Sequence, residues 1–353
     1  QQAERMKFSP YKKDYSKEYL KELLNYSKNE NYKIDIKFFR KEFGQPYVRE
    51  VASKYGHDRE KRVSSYEYEL VEFLKSNNIE CIVGNRKIIA PYELDIYIPE
   101  HKLAIEFNGS YWHSDKFVDK NYHQMKTKMC NELGITLIHI HEYMYMLDRN
   151  ITIYENIIKS KLQLNERVYA RKCILKEVPK QEEKDFLNAY HLQGFIGSNK
   201  CYGLYYNDEL LTLCSFGKSR FNKKYEYELL RNCSKPNITV VGGLSKIIKH
   251  YKKEIDNNLI LCYSDASISY NKNDKLTRPN YVWINGNKIL KRYQTQKHKL
   301  SKLLGDNFDH TLSETENMRN NGYYKVYDSG NYITIYWLNV EIVLNDKWIF
   351  SKI

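Results

Sequence analysis

The chain has 353 residues, long enough for two or three domains with real cores, and a formal net charge of +13 with a pI near 9.1, which favours a polyanionic partner. Its seven Cys are scattered without a Cys-x-x-Cys pair, which excludes a disulfide framework and a zinc knuckle and points to reduced thiols. No apolar run reaches membrane-spanning length and no signal-peptide pattern opens the chain, so the expected setting is cytoplasmic with no membrane partner.

Residues 1–62 are expected to form an N-terminal helical segment. Tyr19-Leu20, Leu23-Leu24 and Tyr26 outline a weak amphipathic helix, and Phe38 to Tyr55 reads as helix, turn, helix, either a cap on the neighbouring domain or a DNA-reading unit. The charge run His57 to Arg62 marks a border. Residues 63–166 then have the element order of a small mixed α/β domain. Ser64-Ser65 start a helix running from Tyr66 to Lys75, and short strands are expected at Ile79 to Val83 and Lys87 to Ala90.

In Glu93 to Pro99, Leu94, Ile96 and Ile98 alternate with Asp95 and Tyr97, the period of a strand with one face buried. The chain returns through Leu103 to Phe107, so a hairpin can bring Asp95 and Glu106 side by side. Two carboxylates that close repel one another unless a divalent cation neutralises them, and hard oxygen ligands suit Mg2+ or Mn2+. His113, just past the second strand, is placed to act as general base or acid. A helix is expected over Val118 to Leu133, with Tyr122, Met125, Met129 and Leu133 as an apolar stripe beside a second stripe of His123, Lys126 and Cys130. Gly134 ends it, Ile135 to His141 forms a third strand, and Ile151 to Leu162 a closing helix. His139 and His141 share one face of that strand, where packing or surface roles are expected in preference to a metal site.

With those residues in view, the span from Ser65 to about Tyr143 resembles the very-short-patch repair endonucleases and related phage homing endonucleases, a branch of the PD-(D/E)XK nuclease fold. The resemblance rests on Leu94-Asp95 and on Gly109-Ser110-Tyr111-Trp112-His113, and covers less than a quarter of the chain. It implies that Asp95 ligates magnesium, that His113 acts at the scissile phosphate, and that Glu67, or its rival Glu69, supplies a helical acid. The broader pattern places a second acid at Glu106, a metal-ligating carbonyl at Phe107 and a Lys at Asn108. Asn108 is neutral, so Lys126 or His123 must supply the missing positive group; the family carries an acid where this chain has His123. Tyr111 and Trp112 fall where the repair enzymes push aromatics into the DNA stack. Those enzymes also hold a structural zinc near the active His. Here Ser114-Asp115 comes after His113 without a His/Cys cluster, and no zinc is expected.

Residues 167–353 are expected to form a C-terminal α+β domain. Strands are read at Ala170 to Lys176, Cys201 to Tyr206, Leu210 to Phe216, Glu226 to Arg231, Leu259 to Tyr263, Tyr281 to Trp283 and Tyr332 to Leu338, with helices at Glu182 to His191, Gly243 to Lys253 and Lys297 to Leu304. Basic residues interleaved with aromatics, Lys218, Arg220, Lys223 and Lys224, then Lys246 and Lys249, then Arg292, Lys297 and Lys299, together with Asn108 nearer the hairpin, are the expected DNA contacts. The run from Cys201 to Lys249, with Val241-Gly242-Gly243-Leu244-Ser245-Lys246 leading into a helix, looks like an acetyltransferase-type fold, including phage DNA-modification proteins built on it. A tight helix start is the expected use of its glycines.

The combined expectation is a magnesium-dependent, sequence-specific endonuclease of homing type acting on double-stranded DNA. One such site cuts one strand, so a double-strand break requires a homodimer on DNA or sequential nicks. A base-modifying group-transfer enzyme and a DNA-binding protein with an inactive nuclease site are the alternatives.

Overall fold

The computed structural model describes residues 65–145, 148–256, 258–270 and 275–336; the helical segment expected over residues 1–62 lies outside the described residues. The chain divides into two compact units, residues 1–68 and 69–353, and helix α1 (Ser65–Ser76) begins in the first and runs into the second. The whole is mixed α/β with several sheets.

The first sheet of the larger unit has four strands in the order β1 (Ile82–Asn85), β2 (Leu94–Ile98), β3 (Leu103–Asn108) and β4 (Thr136–His141). All neighbours are antiparallel except β3 and β4, which run parallel and therefore need a crossover. Helix α2 (Tyr122–Glu132) supplies it. The pairings Tyr97↔Ala104, Glu106↔His139 and Asn108↔His141 sort the side chains. Ala104, Glu106, Asn108, Leu137, His139 and His141 line one face, while Leu103, Ile105, Phe107, Ile138 and Ile140 line the other. One face is a hydrocarbon floor and the other carries the chemistry. Strand β3, central and covered on both sides, is buried along its whole length. Toward its N-terminal end the chemical face closes as ordinary core, where Cys130 of α2 joins Ala104, Ile135 and Leu137. Helices α3 (Glu142–Tyr145) and α4 (Asp148–Lys161) come after β4.

Two local expectations are corrected. Lys87 to Ala90 forms turns in place of a strand, because the Asn85 side chain accepts the backbone N–H groups of Lys87 and Ile88 and bends the chain. The crossover helix starts at Tyr122, not Val118. The preceding residues are spent in turns, with Phe117 and Val118 both donating to the Ser114 carbonyl and Asn121 to the Asp119 side chain.

Beyond α4, β5 (Glu166–Tyr169) pairs in parallel with β10 (Ile238–Val241). A seven-stranded sheet is then built from β6 (Ile174–Glu177), β7 (Lys200–Tyr206), β8 (Glu209–Lys218), β9 (Tyr227–Ser234), β11 (Ile260–Asp265), β12 (Lys275–Leu276) and β16 (Asn331–Tyr336). Their order is β12-β16-β11-β9-β8-β7-β6, with β9 and β11 the parallel pair. Helices α5 (Lys180–Tyr190) and α6 (Gly243–Glu254) accompany it, Tyr251 of α6 stacking on Phe216 with ring centroids 4.0 Å apart. The strand expected over Ala170 to Lys176 is broken by a 3-10 turn at Ala170–Lys172, and only β6 remains. The Lys246 ammonium binds the Ala170 and Cys173 carbonyls at that break, taking acceptors a ladder would have used.

A small module completes the fold. Strands β14 (Lys288–Lys291), β13 (Tyr281–Asn285) and β15 (Tyr324–Tyr327) form a three-stranded antiparallel sheet with helices α7 (Lys297–Leu304) and α8 (Glu314–Asn320). Trp283, Leu300, Met318 and Tyr323 make its core.

Candidate active site

Between β2 and β3 the ladder ends at Ile96↔Ile105, and past that point the carboxylates take over the pairing. Glu106 Oε1 accepts from the Asp95 backbone N–H at 3.3 Å, and Asp95 Oδ2 accepts from the Phe107 N–H at 2.9 Å. The two acids are thereby cross-locked at the mouth of the hairpin, Asp95 half-buried and Glu106 fully buried.

Lys126 reaches Glu106 from α2. Its ammonium pairs with Glu106 Oε2, and both side chains are almost wholly removed from solvent. Burial, the largest single influence, pulls the Lys126 pKa down; Glu106, Tyr122 and Asp95 together outweigh it and leave the pKa above a lysine's ordinary value. At neutral pH the group is a cation. Asn108, where the nuclease pattern has its Lys, is also fully buried, and its Nδ2 lies 3.3 Å from His139 Nδ1. Such a side chain has no route to a duplex, so the expected DNA contact at Asn108 is corrected to a structural role.

The hydrogen bonds around His139 fix its tautomer. The Thr127 hydroxyl donates to the His123 carbonyl at 2.9 Å, so at 2.8 Å from His139 Nε2 it can only accept. His139 therefore carries its proton on Nε2 and offers bare Nδ1 to Asn108. His113, His123 and His141 complete a cluster: His123 lies 5.3 Å from His113, 5.2 Å from His139 and 5.2 Å from His141, centroid to centroid. Both ring nitrogens of His123 and of His141, and Nδ1 of His113, are buried without a hydrogen-bond partner among the described residues. Burial, followed by the Lys126 charge, pushes His113 down to about 4, and burial followed by His113 pushes His141 down to about 3. His123 and His139 are lowered well below the usual range, again chiefly by burial. At neutral pH the cluster is uncharged. Among the described residues no group of three or more His, Cys, Asp or Glu is arranged to hold a metal ion. Of the packing or surface roles expected for His139 and His141, their full burial on the face under α2 leaves no surface position.

The loop from Gly109 to Val118 presents the opposite character. Tyr111, Trp112 and Phe117 are exposed yet mutually packed, with centroids 5.3 Å, 5.1 Å and 5.1 Å apart, and the Lys116 ammonium lies 5.5 Å from the Tyr111 ring. Exposed contiguous aromatics of this kind mark a contact surface. Phe117 had no distinguishing signal in the sequence; only the turns at Ser114 bring it under Tyr111 and Trp112.

A scan against protein-family models and a search of curated proteins both found no match.

The remaining sequence candidates fall into three groups. Glu67 is half-buried in the first turn of α1, within the smaller unit, and its rival Glu69 is exposed at the start of the larger one. Lys218, Lys224, Lys249, Arg292 and Lys297 are exposed. Others are committed internally: Arg220 binds the buried Glu228, Lys223 donates to the Ser219 carbonyl, Lys299 to the Tyr293 carbonyl, and Lys246 to Ala170 and Cys173. Gly242 starts α6 with φ +77°, and a Cβ on Gly243 would come within 3.1 Å of Val240, so the glycines serve a close helix start.

Proposed function

We propose that the protein is a metal-dependent DNA endonuclease of the PD-(D/E)XK kind, homing type, that nicks double-stranded DNA. The observation that carries this reading is the cross-locked pair Asp95 and Glu106 with the Lys126 ammonium bound to Glu106. Lys126 supplies, from a helix, the cation that Asn108 cannot. That arrangement weighs against the reading in which the nuclease site is inactive.

Two carboxylates and the Phe107 carbonyl are hard oxygen donors, a set that fits Mg2+ or Mn2+. Bound there, the ion would lower the pKa of a ligated water and offset charge on the phosphate. Asp95 and Glu106 hold that position because each is tethered by the other strand's backbone N–H. Lys126, buried against Glu106, places a positive charge behind the carboxylate pair. His113, neutral at physiological pH, is a proton acceptor for the attacking water or a relay to the leaving oxygen. The exposed Tyr111, Trp112 and Phe117 are suited to wedging into the base stack, which costs a few kcal/mol per step and opens the duplex toward His113. Exposed cations at Lys218, Lys224, Lys249, Arg292 and Lys297 would track phosphates. Paired nicks would need two copies on DNA.

The test is plasmid cleavage. Supercoiled DNA with magnesium should convert to nicked circles, EDTA should stop it, and Asp95→Ala and His113→Ala should each abolish it. Cleavage surviving both substitutions would refute the site.

A further inference from the structure

The His113 loop is tied to the small C-terminal module by contacts that converge on one residue. The Asp115 N–H donates to the Lys325 carbonyl at 2.9 Å, and the Lys325 N–H donates back to Asp115 Oδ1 at 3.0 Å. Arg319 Nη2 donates to Asp115 Oδ2 at 2.9 Å. Beside them Ser114 forms an isolated antiparallel bridge with Val326, so the loop adds a short extra rung to the edge of β15. Ser114 is fully buried and its hydroxyl donates to the Tyr111 carbonyl at 2.7 Å, while the Lys116 ammonium lies 5.1 Å from the Tyr324 ring. Tyr111, Ser114, Asp115 and Lys116 are thus held from the module's side, on both sides of His113.

The other site elements have similar tethers. On α2, between His123 and Lys126, Gln124 donates from Nε2 to the carbonyls of Thr277 and Ser329 at 2.8 Å and 2.9 Å. On β4, the His139 N–H donates to the Ser267 carbonyl at 2.7 Å. Loop, helix and strand, each bearing part of the site, are all fixed by residues 267–329.

We infer that Asp115 is a positioning residue: its carboxylate, clamped by the Lys325 N–H and Arg319, sets the loop that presents His113 and the aromatic wedge. A module carrying Lys288, Lys291, Arg292 and Lys297 is thus mechanically joined to the reacting end, and its seating on DNA phosphates is transmitted to His113. The catalytic part of this inference rests on the endonuclease reading above; the clamp itself does not.

Two measurements on the full chain test it. Hydrogen exchange without DNA should show faster exchange across residues 110–117 in Asp115→Ala, with the seven-stranded sheet unchanged; Asp115→Asn should exchange nearly as the parent because it still accepts the Lys325 N–H. Unchanged exchange in Asp115→Ala overturns the clamp. With plasmid and magnesium, Asp115→Ala should lose about 10- to 100-fold in kcat, the scale of a small misplacement of a reacting group, with KM for DNA within about twofold, and Asp115→Asn should recover most of it. A rise in KM with kcat intact makes Asp115 a DNA contact and refutes positioning. If the parent chain does not cleave, the endonuclease reading fails while the exchange result still decides the clamp. Arg319→Ala, which removes the ion pair from its exposed end, gives a milder version of both effects should Asp115→Ala fold poorly.

Discussion

Lys126 and Glu106 form the most consequential pair at the scale of single residues. Removing one member of a buried pair strands the other charge, which typically costs about 3–5 kcal/mol. Lys126→Met should therefore lower the denaturant midpoint sharply as well as abolish cleavage, and Lys126→Met combined with Glu106→Gln should regain much of the stability without the activity. Asn108→Lys, which restores the nuclease pattern on paper, is expected to destabilise: Asn108 is fully buried against His139, and a second ammonium there would face neutral imidazole close to Lys126. Denaturant unfolding and plasmid nicking on the same preparations check both. The histidine cluster sets a pH dependence. Unfolded histidines titrate near 6.5, whereas His113 and His141 in the folded chain do so at about 4 and about 3. Above pH 6.5 neither state binds these protons. As the pH falls below 6.5 the unfolded chain takes them up first, so stability declines toward pH 4 by up to about 1.4 kcal/mol per pH unit for each such histidine. Unfolding curves at pH 7.5, 6 and 5 should show a progressive loss, and replacing His141 with Gln should flatten it.

Helix α2 shows how an element can bury the face its sequence presents as polar. The apolar stripe of Tyr122, Met125, Met129 and Leu133 is only partly covered, and Leu133 is exposed. His123, Lys126, Thr127 and Cys130 turn inward instead. The sheet face beneath them carries Glu106, Asn108, His139 and His141, and polar groups out of water must meet partners. The hydrophobic rule yields to that demand. The aromatic loop is the opposite case, large rings left in solvent. Trp112→Ala should weaken duplex binding by about 1–3 kcal/mol, the range for loss of one base-stacking ring, with little change in thermal stability because the indole is two-thirds exposed; fluorescence anisotropy and a melting curve separate the two.

At the scale of the whole molecule, the C-terminal half of the larger unit tethers the loop, helix and strand of the candidate site. Deleting residues 167–353 would remove the Ser267, Thr277 and Ser329 carbonyls and the Lys325 and Arg319 partners at once. The remaining piece should show poor solubility or lost near-UV signal, not a free-standing nuclease. Binding by the intact chain should weaken steeply with salt, and each exposed cation removed from Lys218, Lys224 or Arg292 that contacts a phosphate should reduce the logarithmic salt slope by about 0.9.

The sequence by itself determined the hairpin and its acids. A period of two, a turn between Pro99 and Leu103 and an Asp and Glu at matching distances from it are local facts, and local facts survive folding. It also determined the helix Lys297–Leu304, whose span was expected to the residue, and the strands Cys201 to Tyr206 and Leu210 to Phe216 to within two residues at each end. What only the tertiary structure decided is who meets whom across long separations. Asp115 and Lys325 are brought together by the edge of β15, Gln124 and Ser329 by the turn before β16, and four histidines by the parallel register of β3 and β4 with a helix laid over them. No window of sequence encodes those distances, because they arise from the packing of sheets whose strands are far apart in the chain.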